Sequence, residues 1–128
     1  MDWQDYLELS DDSLEDIRYV GYLYIKQGCY DIALDFFKAL TILSPGNFYD
    51  IQTLGSLYLQ KGNYNEALTY LDKAIKMDPT NYLVILNKAK TLFSLGYRTE
   101  GIIQARIVSK CKDPKLVTQA LALINAYS

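Results

Sequence analysis

The chain has 128 residues, 50% of them hydrophobic and 22% charged, with a formal net charge of −2. That length and composition suit one domain or a short repeat array with a real core, and they exclude a disordered chain. There is no histidine, which removes the usual general base, the usual metal ligand and every His-dependent triad; Cys29 and Cys111 lie far apart in no CxxC cluster and read as free thiols.

The N-terminus, MDWQDYLELSDD, is acidic where a secretory signal would be basic and then apolar. No apolar run approaches the roughly 20 residues of a membrane span. A cytoplasmic protein without membrane contact is expected. Within residues 2 to 9, Trp3, Tyr6 and Leu7 stand at helical spacing and predict a short amphipathic helix, through which a second copy could pair to form a homodimer. Ser10 to Ser13 then offer N-cap candidates, and Ser13 with Asp16 resembles a capping box, so a new helix should begin there. It runs through Leu14, Ile17, Val20, Gly21 and Tyr24 to Gly28, where a left-handed residue ends a helix at no steric cost.

Tyr30 to Leu43 is the next predicted helix, stopped by SPGN at 44 to 47. The pattern then starts again. Residues 14 to 47 and 48 to 81 align at an offset of 34, pairing Gly21 with Gly55, Tyr24 with Tyr58, Gly28 with Gly62, Ala33 with Ala67, Pro45 with Pro79 and Asn47 with Asn81. A third block from Tyr82 keeps Ala89, Leu92 and Gly96 and then drifts, with Gly101 in place of the alanine, Ala105 in place of the large residue and the proline one residue late at Pro114. Residues 116 to 128 read as a last, capping helix. A repeat of this length is a helical hairpin that cannot bury its own apolar face, so copies stack into a solenoid.

The motif carried by Leu54, Gly55, Tyr58, Gly62, Tyr64, Ala67, Leu71, Ala74 and Pro79 resembles the tetratricopeptide repeat family, and the resemblance spans residues 14 to about 115. It implies an all-α solenoid of three repeats (14–47, 48–81 and 82–115), preceded by an N-terminal helix and cap (1–13) and closed by the capping helix. Each motif residue has a packing reason: Gly55 and Ala67 are small so that paired helices approach closely, Tyr58 fills space between neighbours, and Pro79 ends a helix. In this family the first helix of each repeat lines a groove. By that alignment the groove residues are Arg18, Tyr22 and Ile25; Tyr49, Gln52, Ser56 and Leu59; and Leu83, Leu86, Lys90 and Phe93. Several are large and apolar, as a peptide with hydrophobic anchors would require. The competing expectation is that the N-terminal helix or a second copy covers them. The family's clamp for the C-terminal carboxylate of heat-shock chaperones is not expected, because its positions read Arg18, Tyr22, Thr53, Leu83 and Asn87, and only Arg18 fits.

The three repeats, the extra N-terminal helix, the stretch SLEDIRYVGYLYIKQGCYDIALDFFKALTILSP and its Phe37-Lys38-Ala39-Leu40 segment are similar to the small chaperones of bacterial type III secretion. That resemblance implies a protein or peptide partner, a secreted translocator or needle subunit, held in the groove before export. The alternative is a structural scaffold or assembly adaptor. No cofactor is expected: the GCY and GNY glycines are repeat turns without the Gly-Lys-Ser/Thr of a nucleotide loop. Catalysis has no supporting constellation, since Asp11 and Asp12 stand at a helix start that favours acids.

Charge is unevenly spread, ten acids against three bases over residues 1 to 50 and five acids against ten bases over the rest. Solvated helix faces account for most of this; the sharper reading is steering of a charged partner or head-to-tail self-association. The bases Arg98, Arg106, Lys110, Lys112 and Lys115 alone do not make a nucleic-acid reader in an acidic chain that has no recognition motif.

Overall fold

The structure, a computed structural model, describes residues 11–128. Seven helices and no strand occur among the described residues: α1 (Asp11–Lys26), α2 (Tyr30–Leu43), α3 (Phe48–Lys61), α4 (Tyr64–Met77), α5 (Tyr82–Ser94), α6 (Arg98–Ser109) and α7 (Pro114–Tyr127). Sequential helices pack as antiparallel hairpins, α1 with α2, α3 with α4 and α5 with α6, and α7 lies against α6 and α5. The expected N-terminal helix, and the pairing through it, fall on residues outside the described ones. Asp11, Asp12 and Ser13 are already helical, so the capping box expected at Ser13 lies inside α1 rather than at its start.

Repetition in sequence becomes repetition in hydrogen bonds. At the end of α1, α3 and α5 the same closure recurs, with Gly28, Gly62 and Gly96 at φ of 77°, 80° and 86°. The amide after each glycine donates to a carbonyl five residues back: Cys29 to Tyr24 at 2.9 Å, Asn63 to Tyr58 at 2.9 Å and Tyr97 to Leu92 at 2.9 Å. This Schellman geometry needs a left-handed residue, and glycine adopts one without a Cβ clash. The opposite ends are capped by side chains. Asn47 accepts from the Asp50 N–H at 3.1 Å, Asn81 from Val84 N–H at 3.3 Å, and Asp113 from Lys115 N–H at 3.0 Å.

Asp113 caps α7 directly, and Pro114 follows as its first residue, where the missing N–H costs nothing. The last helix therefore begins two residues ahead of 116. The late proline is a change of role, from spacer before a cap to first residue of a helix.

Close helix approach comes from a different pairing than Gly55 with Ala67. A Cβ on Gly55 would stand 2.7 Å from Leu71 Cδ2, and one on Gly21 would stand 2.8 Å from the Phe37 ring. In these two hairpins the large residue comes from the second helix and sinks into a glycine on the first. The third hairpin inverts the arrangement: Ala89 and Ala105 are both small and fully buried, and Phe93 of α5 fills the space against Gly101 of α6, where a Cβ would meet its ring at 2.6 Å. The drift of the motif in the third block is thus a compensated exchange of volume across one interface.

Two apolar clusters result. One joins the first two hairpins around Phe37, Leu40, Leu54 and Leu71, and the other joins the third hairpin to α7 around Leu86, Val108 and Ala120. Ile75 touches both, so the array is continuous. Burying each of the large side chains contributes about 1.5–3 kcal/mol.

Candidate functional site

α1, α3 and α5 are the first helices of their hairpins, and the outward positions between their packing residues form the candidate site. Arg18 sits at the junction of the first two. Its Nε donates to Asp50 Oδ1 at 2.6 Å and its Nη2 to Asp50 Oδ2 at 2.8 Å, a bidentate fork between α1 and α3. Nη1 donates to Glu15. The hydrogen bond to Asp50 holds the guanidinium above its ordinary pKa, against the opposing effect of burial. Asp50 is fully buried and Arg18 is 8% exposed. Arg18, expected from the alignment to line the groove, is consequently committed to a buried structural pair: each of its three nitrogens donates to a carboxylate of the chain itself.

Above this pair the surface is walled by tyrosines. A hollow of about 350 Å³ is lined by Glu15, Arg18, Tyr19, Tyr22, Asn47 and Tyr49. A second, of about 280 Å³, is lined by Tyr22, Ile25, Tyr30, Tyr49, Gln52, Thr53, Ser56, Leu57 and Gln60. Tyr22 and Tyr49 belong to both, so the two join into one trough between α1 and α3. Tyr22 is 39% and Tyr49 40% exposed, an amount of aromatic surface that folding leaves in water. The amide and hydroxyl groups beside them are partly engaged: Gln52 Nε2 donates to Thr53 Oγ1 at 3.0 Å, and Asn87 Nδ2 to Ser56 Oγ at 3.2 Å.

Six of the expected residues, Arg18, Tyr22, Ile25, Tyr49, Gln52 and Ser56, are brought together here. Leu59 instead packs against the first apolar cluster. The third-repeat set is dispersed. Leu86 is fully buried and Phe93 is 6% exposed, so neither lines a groove. α7 packs on this part of α5: the Tyr127 ring stacks on Phe93 at 4.1 Å between centroids, and Lys90 Nζ donates to Gln119 Oε1 at 3.2 Å. Leu83 is exposed but borders a separate hollow with Asp78, Tyr82, Lys110 and Leu116. Conversely, Tyr19, Tyr30, Asn47 and Gln60 line the trough without having been expected. Tyr19, 62% exposed beside Arg18, carried a signal as an aromatic outside the core register; Asn47 did not, since it reads as a turn residue.

Burial pushes the Tyr49 phenol above its ordinary range, and the neighbouring Tyr22 adds to the shift. A phenol whose folded pKa is raised contributes stability that is complete below the ordinary tyrosine value of about 10 and is lost as pH rises through the folded value. A difference titration at 295 nm between the native chain and Tyr49→Phe should therefore show a late-ionising component, and a component coincident with free tyrosine would contradict the partial burial of this phenol.

Residues 53–81 match the tetratricopeptide repeat family. No curated protein sequence matches the chain. Among solved structures, the type III secretion translocator chaperone SycD of Yersinia enterocolitica superimposes with a TM-score of 0.84 at 21% identity, covering 98% of this chain and 98% of that one. SycD in complex with a peptide of the translocator YopD gives 0.85 at 22% identity, over 94% and 95% of the two chains. PcrH of Pseudomonas aeruginosa, in complex with the chaperone binding region of PopD, gives 0.83 at 25% identity, over 93% of each chain. The chain is a solenoid of three helical hairpins with a capping helix and has the fold of these chaperones along nearly its whole length, and its second hairpin matches the tetratricopeptide repeat family.

Proposed function

We propose that this protein is a small cytoplasmic chaperone that holds a segment of a secreted translocator or needle subunit in the trough between α1 and α3. The observation that carries the reading is the pair of half-exposed tyrosines, Tyr22 and Tyr49, shared by two adjoining hollows on the first helices of consecutive repeats. Likeness to chaperones solved with translocator segments supports the choice of cargo. The physics is that of an apolar segment withdrawn from self-association: aromatic walls bury its side chains, and the trough supplies amides and hydroxyls for its backbone. Among the described residues no helix is long and apolar enough to cross a membrane.

The trough assignment is tested by Tyr22→Ala combined with Tyr49→Ala. Truncating central aromatic anchors typically costs about 2 kcal/mol or more, so affinity for the co-expressed secreted subunit should fall at least about thirtyfold by calorimetry, with the melting curve nearly unchanged. Equal affinity in the double variant would move the binding surface elsewhere. Leu86→Asp is a useful contrast, because it places a charge at a fully buried position and should unfold the third hairpin instead of weakening binding selectively. A permanent complex that never releases the subunit would favour the scaffold role.

A further inference from the structure

The two hollows of the trough differ in chemistry. The second is walled by Ile25, Tyr30 and Leu57 with neutral amides and hydroxyls, and it suits an aliphatic side chain. The first holds three tyrosines, Asn47, Glu15 and the floor formed by Arg18. Arg18 brings one positive charge, but all three of its nitrogens are bonded to the carboxylates of Asp50 and Glu15. One guanidinium against two carboxylates leaves the cluster at −1. The Glu15 side chain is 69% exposed and turns that excess toward water. Tyr19, Tyr22 and Tyr49 line the same hollow.

We infer that the first hollow is a subsite for a lysine or arginine side chain of the bound segment, held between the tyrosine rings and the Glu15 carboxylate, next to an aliphatic residue in the second hollow. The inference rests on the reading of the trough as a segment-binding site and specifies what it selects. Aromatic walls with an acidic rim attract an ammonium or guanidinium through the ring quadrupole and the carboxylate together, whereas a partner carboxylate placed there would meet like charge. The same chemistry already operates within the chain, since Lys26 Nζ lies 5.2 Å from the Tyr22 ring centroid, one turn further along α1. Arg18 and Ile25, which mark the two hollows, are seven residues apart on α1. That is about 10 Å of helix, or about three residues of extended chain.

Random-peptide phage display on the full chain, with Glu15→Gln and Tyr19→Ala as parallel targets, tests this directly. Both substitutions are at exposed side chains, so the melting curves should stay close to the parent's, which checks that the fold is kept. The expected result is enrichment of Lys or Arg about three residues from an enriched Leu, Ile or Val. Glu15→Gln should reduce the basic enrichment about fivefold while leaving the aliphatic preference intact. Aliphatic selection without a basic position, or selection of Asp or Glu there, overturns the subsite while the trough stands. Selection of neither, or binding unaffected by Tyr22→Ala, overturns the trough and the subsite with it.

Discussion

Replacing Arg18 by alanine should destabilise the protein by about 3–5 kcal/mol, because it strands the fully buried Asp50 carboxylate without its partner. For a domain whose whole stability is on the order of 5–15 kcal/mol, that is about a fifth of it or more. The pair joins residues 32 apart, on the first helices of consecutive repeats, so its loss should also loosen the coupling between them. Chemical denaturation followed by far-ultraviolet circular dichroism should show an earlier and broader transition. The double variant Arg18→Met with Asp50→Leu removes both charges and should recover most of the loss. A single Arg18→Ala variant as stable as the parent would mean that Asp50 is not buried as described.

Gly55→Leu should cost about 1–3 kcal/mol, toward the upper end for a small-to-large change. A first side-chain carbon would stand 2.7 Å and 2.8 Å from Leu71 side-chain atoms and 3.2 Å from the Leu71 backbone nitrogen. The side chain can rotate away, but the backbone of α4 cannot do so without separating the hairpin. Leu71→Ala should therefore relieve only part of the defect, and the two substitutions should be coupled rather than additive. Additive melting shifts would show that Gly55 and Leu71 do not share one space. The third hairpin is the natural counterpart, with alanines at both corresponding positions and Phe93 supplying the missing volume.

Much of the candidate site was legible at the level of helix face and little at the level of accessibility. Tyr22, Ile25, Tyr49, Gln52 and Ser56 follow from the 34-residue register, which fixes where each first-helix residue points. Arg18 was found and misread. Its partner Asp50 looks like an ordinary acid in the first turn of a helix, and nothing in the spacing says that its carboxylate is buried beneath α1. Leu86 and Phe93 were placed in the groove because the register repeats, yet the array ends there and α7 takes the face that a further repeat would cover. Tyr19, Tyr30 and Gln60 were missed because they border the hollows from outside the alignment's groove positions.

Among the described residues the sequence alone determined the helices, their order and most of their ends, because glycines at left-handed turns, Asn caps and apolar spacing are local conditions that a few neighbouring residues satisfy; the starts of α1 and α7 were each placed two residues late. It also determined that copies must stack, since one amphipathic hairpin cannot cover itself. Only the tertiary structure decided which outward residues are free. Exposure depends on what another helix places on top: Asp50 quenches Arg18 from the next repeat, and Tyr127 stacks on Phe93 from the end of the chain. Between those two covers, among the described residues, lies a short open trough walled by Tyr22 and Tyr49.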